Sequence, residues 1–183
     1  MNWLIIVGVI ALLLVLYVVG TYNNLVVARN KVKNQWSQIQ VLLKRRYDLI
    51  PNLVETVKGY AKHEKGTFED VVKARNLALG AKTTEEEIKA AGAVTEALGR
   101  LFALSESYPE LKANESFLEL QSNLRETEDK ISYSRQFYND SVLSYNNKIE
   151  VFPSNLVAKL FSFKPEAFFE ASEEEKKNVQ VKF

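Results

Sequence analysis

The stretch that decides the architecture is Trp3 to Tyr22, WLIIVGVIALLLVLYVVGTY, in which no side chain is charged. A helix of this length, at about 1.5 Å per residue, covers the roughly 30 Å hydrocarbon core of a bilayer. Trp3 at one end and Tyr17 with Tyr22 at the other resemble the aromatic belts of the two membrane interfaces. The sequence therefore predicts a transmembrane anchor over residues 1–22.

A secretory signal peptide is the alternative interpretation of this apolar run. Signal peptides have a basic first segment, a shorter apolar core and a cleavage site built from small residues. Only Met1 and Asn2 precede the run, and the segment TYNNLVVARN after Gly20 contains no Ala-x-Ala pattern. These features favour an anchor that is not cleaved.

The charges behind the anchor predict its orientation. Asp48 is the first acidic residue of the chain, and a cluster of basic residues comes before it. A basic excess close to a transmembrane end stays in the cytoplasm. We therefore expect the N-terminus outside and the C-terminal domain in the cytoplasm. The basic residues are Arg29, Lys31, Lys33, Lys44, Arg45 and Arg46.

Composition excludes several classes of function. The 183 residues are 46% hydrophobic, which suffices for one anchor and one domain. Lys and Arg number 24 against 23 Asp and Glu, and this net charge of +1 gives no electrostatic reason to expect nucleic-acid binding. Cysteine is absent, which excludes disulfides, thiol catalysis and cysteine-based zinc sites. With His63 as the single histidine, we expect no cofactor and no metal.

The apolar pattern behind the anchor predicts an all-α fold, an antiparallel bundle of long helices over residues 23–171 with a polar tail over 172–183. Steps of three and four residues indicate a coiled-coil-like helix continuous with the anchor. It is predicted to kink at Pro51 and to end near Gly80. Alternatively, Asp48 caps a new helix with Pro51 in its first turn. The heptad positions are Val32, Trp36, Ile39, Leu43, Arg46, Ile50, Leu53, Val57, Tyr60, Glu64, Thr67 and Val71.

Two further long helices and a short one complete the predicted bundle. Thr84 and Glu87 form a capping-box pattern, and the short turn before it predicts a second helix antiparallel to the first. A third helix is predicted over 114–150. Ser154 is expected to cap a short helix over 155–161, whose apolar Leu156, Leu160 and Phe161 need a covering groove.

Polar residues interrupt the heptad faces and form a predicted polar stripe. Burying an unpaired charge costs several kcal/mol, so such residues pair or lie at an edge. One interpretation is a set of ion pairs that fixes helix register, with Glu128 paired to Arg46 or Arg135. The other two are a polar groove for a partner and a position at the rim of the bundle. The stripe comprises Arg46, Glu64, Gln121, Glu128 and Arg135.

No catalytic constellation has adequate spacing. A di-iron bundle needs two Glu-x-x-His motifs, and this chain has none. His63 lies in Lys-His-Glu-Lys, a sequence typical of a solvated helix turn. The seven glycines are dispersed and form no phosphate loop. We therefore predict no catalytic residue.

Several segments resemble the LemA family. The most specific is RRYDLIPNLV at 45–54, and the resemblance spans nearly the whole chain. It implies a bacterial inner-membrane protein with one N-terminal span, a helical bundle and no established catalytic activity. It also implies a link to magnetosome membranes through one relative, and to membrane proteases or stress proteins through neighbouring genes. The other segments are YNNLV at 22–26, VKGYAKHE at 57–64, ESYPELKAN at 106–114, TEDKI at 127–131, YNDSV at 138–142, YN at 145–146 and FP at 152–153.

The residues shared with the family pattern match it in type, but the family gives none of them a catalytic role. The matching polar and special positions are Arg46, Asp48, Pro51, Asn52, His63, Glu64, Tyr108, Glu128, Arg135, Asn139 and Asn146.

The resulting hypothesis is a non-enzymatic membrane scaffold that self-associates and organises membranes or membrane-protein complexes, including in envelope stress. The alternative is an adaptor or regulator of a membrane protease or other membrane enzyme, and the third hypothesis is an unrecognised hydrolase. The expected partners are the lipid bilayer, further copies of the chain and a membrane protease or other membrane protein, but not nucleic acid.

Overall fold

A single helix, α1, begins at the apolar run and continues for 57 residues, Asn2–Lys58. The computed structural model describes residues 2–170. No strand occurs in that range, so the predicted all-α fold is confirmed. The remaining helices are α2 (Lys65–Gly80), α3 (Thr84–Ser105), α4 (Pro109–Lys112), α5 (Glu115–Glu150) and α6 (Ser154–Leu160).

The apolar run of α1 is exposed along its length. Leu4, Leu12 and Leu16 are each about 60% exposed or more, and no residue in the most apolar window is buried by the rest of the chain. By length and composition this is one candidate membrane-spanning helix among the described residues. An exposed apolar surface of this size suits lipid as its surroundings.

The predicted long first helix is in fact two helices. α1 passes through Pro51 and ends at Lys58, and α2 begins at Lys65. Gly59 follows the last helical residue, and both Tyr60 and Ala61 donate their backbone N–H to the Val57 carbonyl. Glycine favours a helix end at this point because it has the lowest helix propensity of any residue but proline. The expected continuous helix to Gly80, and His63 within it, were therefore wrong; exposed His63 lies in the connection between α1 and α2.

Helices α2 and α3 form the predicted antiparallel hairpin. Near its open end, Arg100 of α3 lies 3.5 Å from Asp70 of α2. The capping box, however, is formed by Thr83 and Glu86 and not by Thr84 and Glu87. Both pairs have the required spacing, but Thr83 is the residue with the extended backbone that an N-cap needs. Glu87 instead accepts a hydrogen bond from Gln40 at 3.0 Å.

The short helix α6 also differs from its prediction. Ser154 does not cap it, and its hydroxyl donates to the carbonyls of Lys148 and Val151 at 2.7 and 2.8 Å. The Lys148 carbonyl belongs to the last turn of α5, where the helix supplies no donors of its own, and Val151 directly follows that helix. The expected groove over Leu156 and Leu160 was wrong too, because both remain more than half exposed. The buried residues of α6 are Val157 and Ala158.

The described residues divide into two compact units, which we call the anchor unit and the hairpin unit. The anchor unit comprises residues 2–38 and 136–168, and the hairpin unit comprises residues 39–135 and 169–170. The division into anchor, bundle and tail at residues 22 and 171 stays a prediction, and the predicted tail lies outside the described residues.

Each unit has its own core from the predicted heptad faces. In the anchor unit, Trp36 of α1 packs against Tyr138 of α5 with ring centroids 5.2 Å apart. In the hairpin unit, α1, α3 and α5 each contribute buried aliphatic residues. The anchor-unit core includes Leu25, Val32, Val142, Tyr145 and Ile149, and the hairpin-unit core includes Ile39, Leu43, Ile50, Leu53, Val57, Val94, Leu98, Leu101, Leu124 and Ile131.

Candidate functional site

The most unusual polar group in the hairpin unit is Arg46, which lies on the heptad face of α1 between Leu43 and Ile50. Its side chain is 1% exposed. A guanidinium in such a position must be paired and hydrogen-bonded, because an isolated buried charge is strongly unfavourable. The residues that satisfy Arg46 therefore define the candidate site.

Residues from α3 and α5 bind the two terminal nitrogens of the Arg46 guanidinium, whereas its buried Nε has no hydrogen-bond partner among the described residues. Its Nη1 donates to Glu128 Oε2 at 2.6 Å and to Thr95 Oγ1 at 2.9 Å. Its Nη2 donates to the Ala91 carbonyl oxygen at 3.1 Å. We call these four residues the Arg46 site. Because α1, α3 and α5 each supply a group, the site ties three helices together in one register.

The two ends of the ion pair differ in their exposure. Arg46 is buried, whereas the Glu128 side chain is 39% exposed. Water therefore reaches the carboxylate but not the guanidinium. Of the two arginines that the sequence suggested for Glu128, the structure pairs it with Arg46. The geometry fits the ion-pair interpretation of the polar stripe better than an open polar groove.

Tyr47, the neighbour of Arg46, links the site to α2. Burial raises the pKa of the Tyr47 phenol, although the adjacent Arg46 guanidinium acts in the opposite direction. The Arg46 Cζ atom lies 5.6 Å from the centre of the Tyr47 ring. The Tyr47 backbone carbonyl accepts a hydrogen bond from Arg75 Nε at 2.8 Å.

The Arg75 contact explains how α1 continues through Pro51. Proline has no N–H, so the carbonyl four residues earlier, that of Tyr47, loses its helical donor. Arg75 of α2 supplies a donor to that carbonyl. In the sequence, Pro51 shows that the Tyr47 carbonyl needs another donor, but not that Arg75 provides it.

The other members of the predicted stripe do not join the Arg46 site. Glu64 lies just before α2 and accepts a hydrogen bond from the Tyr108 hydroxyl at 3.2 Å. Desolvation and this carboxylate together raise the pKa of Tyr108. Gln121 is half-buried on α5, and Arg135 lies 5.4 Å from the centre of the Phe169 ring. Of the predicted stripe, the structure thus brings Arg46 and Glu128 together and places Glu64 against Tyr108.

A second tertiary hydrogen bond supports the connection between α1 and α2. Asn114 Nδ2 donates to the Tyr60 hydroxyl at 2.9 Å, while Asn114 Oδ1 accepts from the backbone N–H of Phe117. Asn114 therefore caps α5 and holds the α1–α2 connection at the same time. Tyr60 and Glu64 are positioned by these contacts and not by a helix.

In the anchor unit, polar side chains of α5 hold the segment that follows α6. Asn146 pairs with the backbone of Glu166: its Nδ2 donates to the carbonyl and its Oδ1 accepts from the N–H, each at 3.0 Å. The Tyr145 hydroxyl donates to the Lys164 carbonyl, and the Tyr138 hydroxyl donates to the Ala167 carbonyl, each at 2.8 Å. We call residues 163–168 the C-terminal segment.

Chemically, these groups make hydrogen bonds and ion pairs with one another. Within residues 2–170 no group of three His, Asp or Glu side chains is arranged to hold a metal ion. The Arg46 site contains an ion pair between α1 and α5, and side chains of α5 bind the backbone of the C-terminal segment. Neither arrangement places a nucleophile beside a base.

Comparison with known proteins identifies the chain's family. The model of the LemA family matches residues 35–183. The chain belongs to the LemA family. This LemA-family chain is 30% identical to Protein LemA of Metamycoplasma hominis over 166 residues, which cover 89% of this chain and 75% of the relative.

Magnetosome proteins are also similar to this LemA-family chain. Magnetosome protein MamQ 2 of Paramagnetospirillum magneticum is 27% identical over 175 residues, and Magnetosome protein MamQ of Magnetospirillum gryphiswaldense is 25% identical over 174 residues. Each match covers 81% of this chain but only 64% of the relative. None of these names describes an enzyme. Together with the apolar helix, the family suggests a membrane-associated helical protein.

Proposed function

We propose that this LemA-family chain is a non-enzymatic, membrane-anchored scaffold whose copies associate in the inner membrane of a bacterium. The observation that carries the proposal is the unbroken α1, Asn2–Lys58, which contains both the exposed apolar run and Arg46. A helix that begins as a span and continues into the packed part of the anchor unit places that unit directly at the membrane. A similar arrangement in every copy favours lateral contact, because confinement to a membrane raises the effective concentration.

The polar chemistry supports a structural role over a catalytic one. The buried guanidinium of Arg46 is occupied by Glu128, Thr95 and Ala91, so it stabilises helix packing. A catalytic arginine needs access to a substrate, and this one is 1% exposed. Arg46 and its partners therefore have a structural role in helix packing, as a scaffold requires.

Self-association predicts a particle heavier than one chain. We expect the full-length protein in nanodiscs or mild detergent to have a protein mass at least twice 20.9 kDa, because a shared membrane plane raises the effective concentration of the copies and identical chains usually form closed symmetric assemblies. Light scattering or native mass spectrometry measures this mass. A single-chain mass at every protein concentration contradicts the scaffold.

Orientation gives an independent prediction. The basic residues behind the span, including Arg29, Lys31 and Lys33, favour a cytoplasmic position for both units. Trypsin added outside intact spheroplasts is therefore expected to leave Lys62, in the exposed α1–α2 connection, uncut. Cleavage at Lys62 after the spheroplasts are permeabilised is the control that shows trypsin can reach this site. Cleavage at Lys62 in intact spheroplasts contradicts a cytoplasmic domain.

Isolation of the protein from membranes in mild detergent separates the scaffold from the adaptor. Recovery of further copies alone supports the scaffold. Stoichiometric recovery of a membrane protease or another membrane enzyme supports the adaptor instead, and the mass measurement then gives one chain per complex.

A further inference from the structure

Helix α6 has an apolar surface that faces away from the chain. Its inner residues Val157 and Ala158 are 3% and 2% exposed, whereas Leu156 and Leu160 are 60% and 71% exposed. The two leucines are four residues apart and therefore lie on one helix face. Phe152 at 74% and Phe161 at 47% extend the exposed apolar area on either side of α6. We call Phe152, Leu156, Leu160 and Phe161 the α6 surface.

Ring contacts hold one end of the α6 surface at the end of the candidate span. The ring centroid of Tyr22 lies 4.7 Å from that of Phe161 and 5.7 Å from that of Phe163. Tyr22 is the last residue of the apolar run and a typical interfacial residue. All three residues belong to the anchor unit. The α6 surface therefore lies at the level where the span would leave the hydrocarbon.

The direction of α5 supports the same placement. Lys148, near the end of α5, donates to Asn24 Oδ1 at 2.7 Å, whereas Tyr138 packs against Trp36. Helix α5 thus runs antiparallel to α1, and its C-terminal end lies beside the end of the span. Helix α6 begins four residues after that end.

The charges around the α6 surface suit an anionic bilayer. Residues 151–165 contain Lys159 and Lys164 and no acidic residue. The Arg29 guanidinium lies 5.1 Å from the centre of the Phe163 ring, next to the same surface. Apolar side chains flanked by cations are typical of segments that lie in the headgroup region of a membrane.

We propose that the α6 surface is a second lipid contact, which lies in the boundary between headgroups and acyl chains of the leaflet from which the span emerges. This proposal rests on the proposed membrane anchor. Leu156 and Leu160 enter the acyl boundary, while Lys159 and Lys164 contact anionic headgroups. The anchor unit is thereby held against the leaflet by two contacts, the span and α6.

Site-specific fluorescence in vesicles tests this placement, because the chain contains no cysteine that would compete for a label. Full-length Leu160→Cys and Leu156→Cys are labelled with an environment-sensitive nitrobenzoxadiazole dye. The vesicles contain phosphatidylcholine and phosphatidylglycerol, with and without a phosphatidylcholine that carries a doxyl group near the headgroup. Gln136→Cys, an exposed position of the anchor unit twelve residues before Lys148 on α5, is the matched aqueous control. Leu13→Cys, in the middle of the span, is the control for membrane insertion.

We expect the labels at 156 and 160 to shift to shorter wavelength, to lose most of their emission to the doxyl lipid and to resist quenching by iodide. The label at 136 should respond to iodide alone. Omission of phosphatidylglycerol should reduce doxyl quenching at 160, and equal quenching without it overturns the role of the cations.

Two results overturn the second lipid contact. Iodide quenching at 156 and 160 equal to that at 136 places α6 in water. Protection from both quenchers means that protein, most simply a second copy, covers the surface. In each case a label at position 13 that emits at short wavelength and resists iodide shows that the membrane anchor itself stands, whereas iodide quenching there shows that the proposed anchor has failed.

Discussion

Glu128→Ala is expected to destabilise the hairpin unit by about 3 kcal/mol, because it leaves the Arg46 guanidinium buried without its counter-ion. Removal of one partner from a fully buried pair costs about 3–5 kcal/mol. The lower end applies here because Glu128 is 39% exposed and water can partly replace its carboxylate. For a chain of this size the loss corresponds to a fall of about 6–12 °C in the melting temperature. Circular dichroism of the full-length protein in detergent measures it.

Three variants separate this effect from other causes. Glu128→Gln keeps an acceptor for Arg46 and should cost less than the alanine variant. Arg46→Met fills the buried space with an apolar chain and leaves a carboxylate that water can reach, so it should also cost less than Glu128→Ala. Glu126→Ala, two residues away on α5, removes the exposed pair with Lys130 and should leave the melting temperature nearly unchanged, because an exposed ion pair is screened by water. An unchanged melting temperature in Glu128→Ala contradicts a stabilising Arg46 site.

Asn146→Ala is expected to release the C-terminal segment from α5. The alanine variant loses both hydrogen bonds to the Glu166 backbone in a half-buried position, which costs about 2–3 kcal/mol. Since each 1.4 kcal/mol is a factor of ten, hydrogen exchange at the Glu166 N–H should accelerate at least about tenfold. Hydrogen-exchange mass spectrometry over residues 163–168 measures the change.

The neighbouring residues provide the controls for this prediction. Tyr145→Phe removes only the hydroxyl that donates to the Lys164 carbonyl and should accelerate exchange less than Asn146→Ala does. Asn147→Ala changes an exposed side chain on the adjacent position and should leave exchange in the segment unchanged. Protection of the Glu166 N–H that persists in Asn146→Ala means that other contacts hold the segment.

The helical repeat was readable from the sequence because apolar side chains must share one face wherever a helix packs. The positions from Val32 to Val57 were predicted on this basis, and their apolar members are buried. The α2–α3 hairpin followed from its short turn. The apolar run was likewise recognisable because its length and its lack of charge suit a bilayer.

The end of α1 could not be predicted in the same way. The heptad pattern continues past Gly59 through Tyr60, Glu64 and Thr67, and periodicity alone gives no reason to stop there. The low helix propensity of Gly59 only favours an end, and the hydrogen bonds of Tyr60 with Asn114 and of Glu64 with Tyr108, partners distant in sequence, hold the connection outside a helix. Local propensity is a weak preference, and tertiary contacts override it.

The sequence by itself determined that this protein is helical, that Trp3 to Tyr22 suits a membrane and that buried polar groups must pair. Only the tertiary structure decided the pairs: Arg46 with Glu128, Arg75 with the Tyr47 carbonyl that Pro51 leaves without a donor, and Asn146 with Glu166. It also decided that α6 buries Val157 and Ala158 and exposes its leucines. The physical reason is that hydrophobic periodicity is a local property of one helix, whereas a buried charge or an unsatisfied carbonyl selects its partner by distance across the fold.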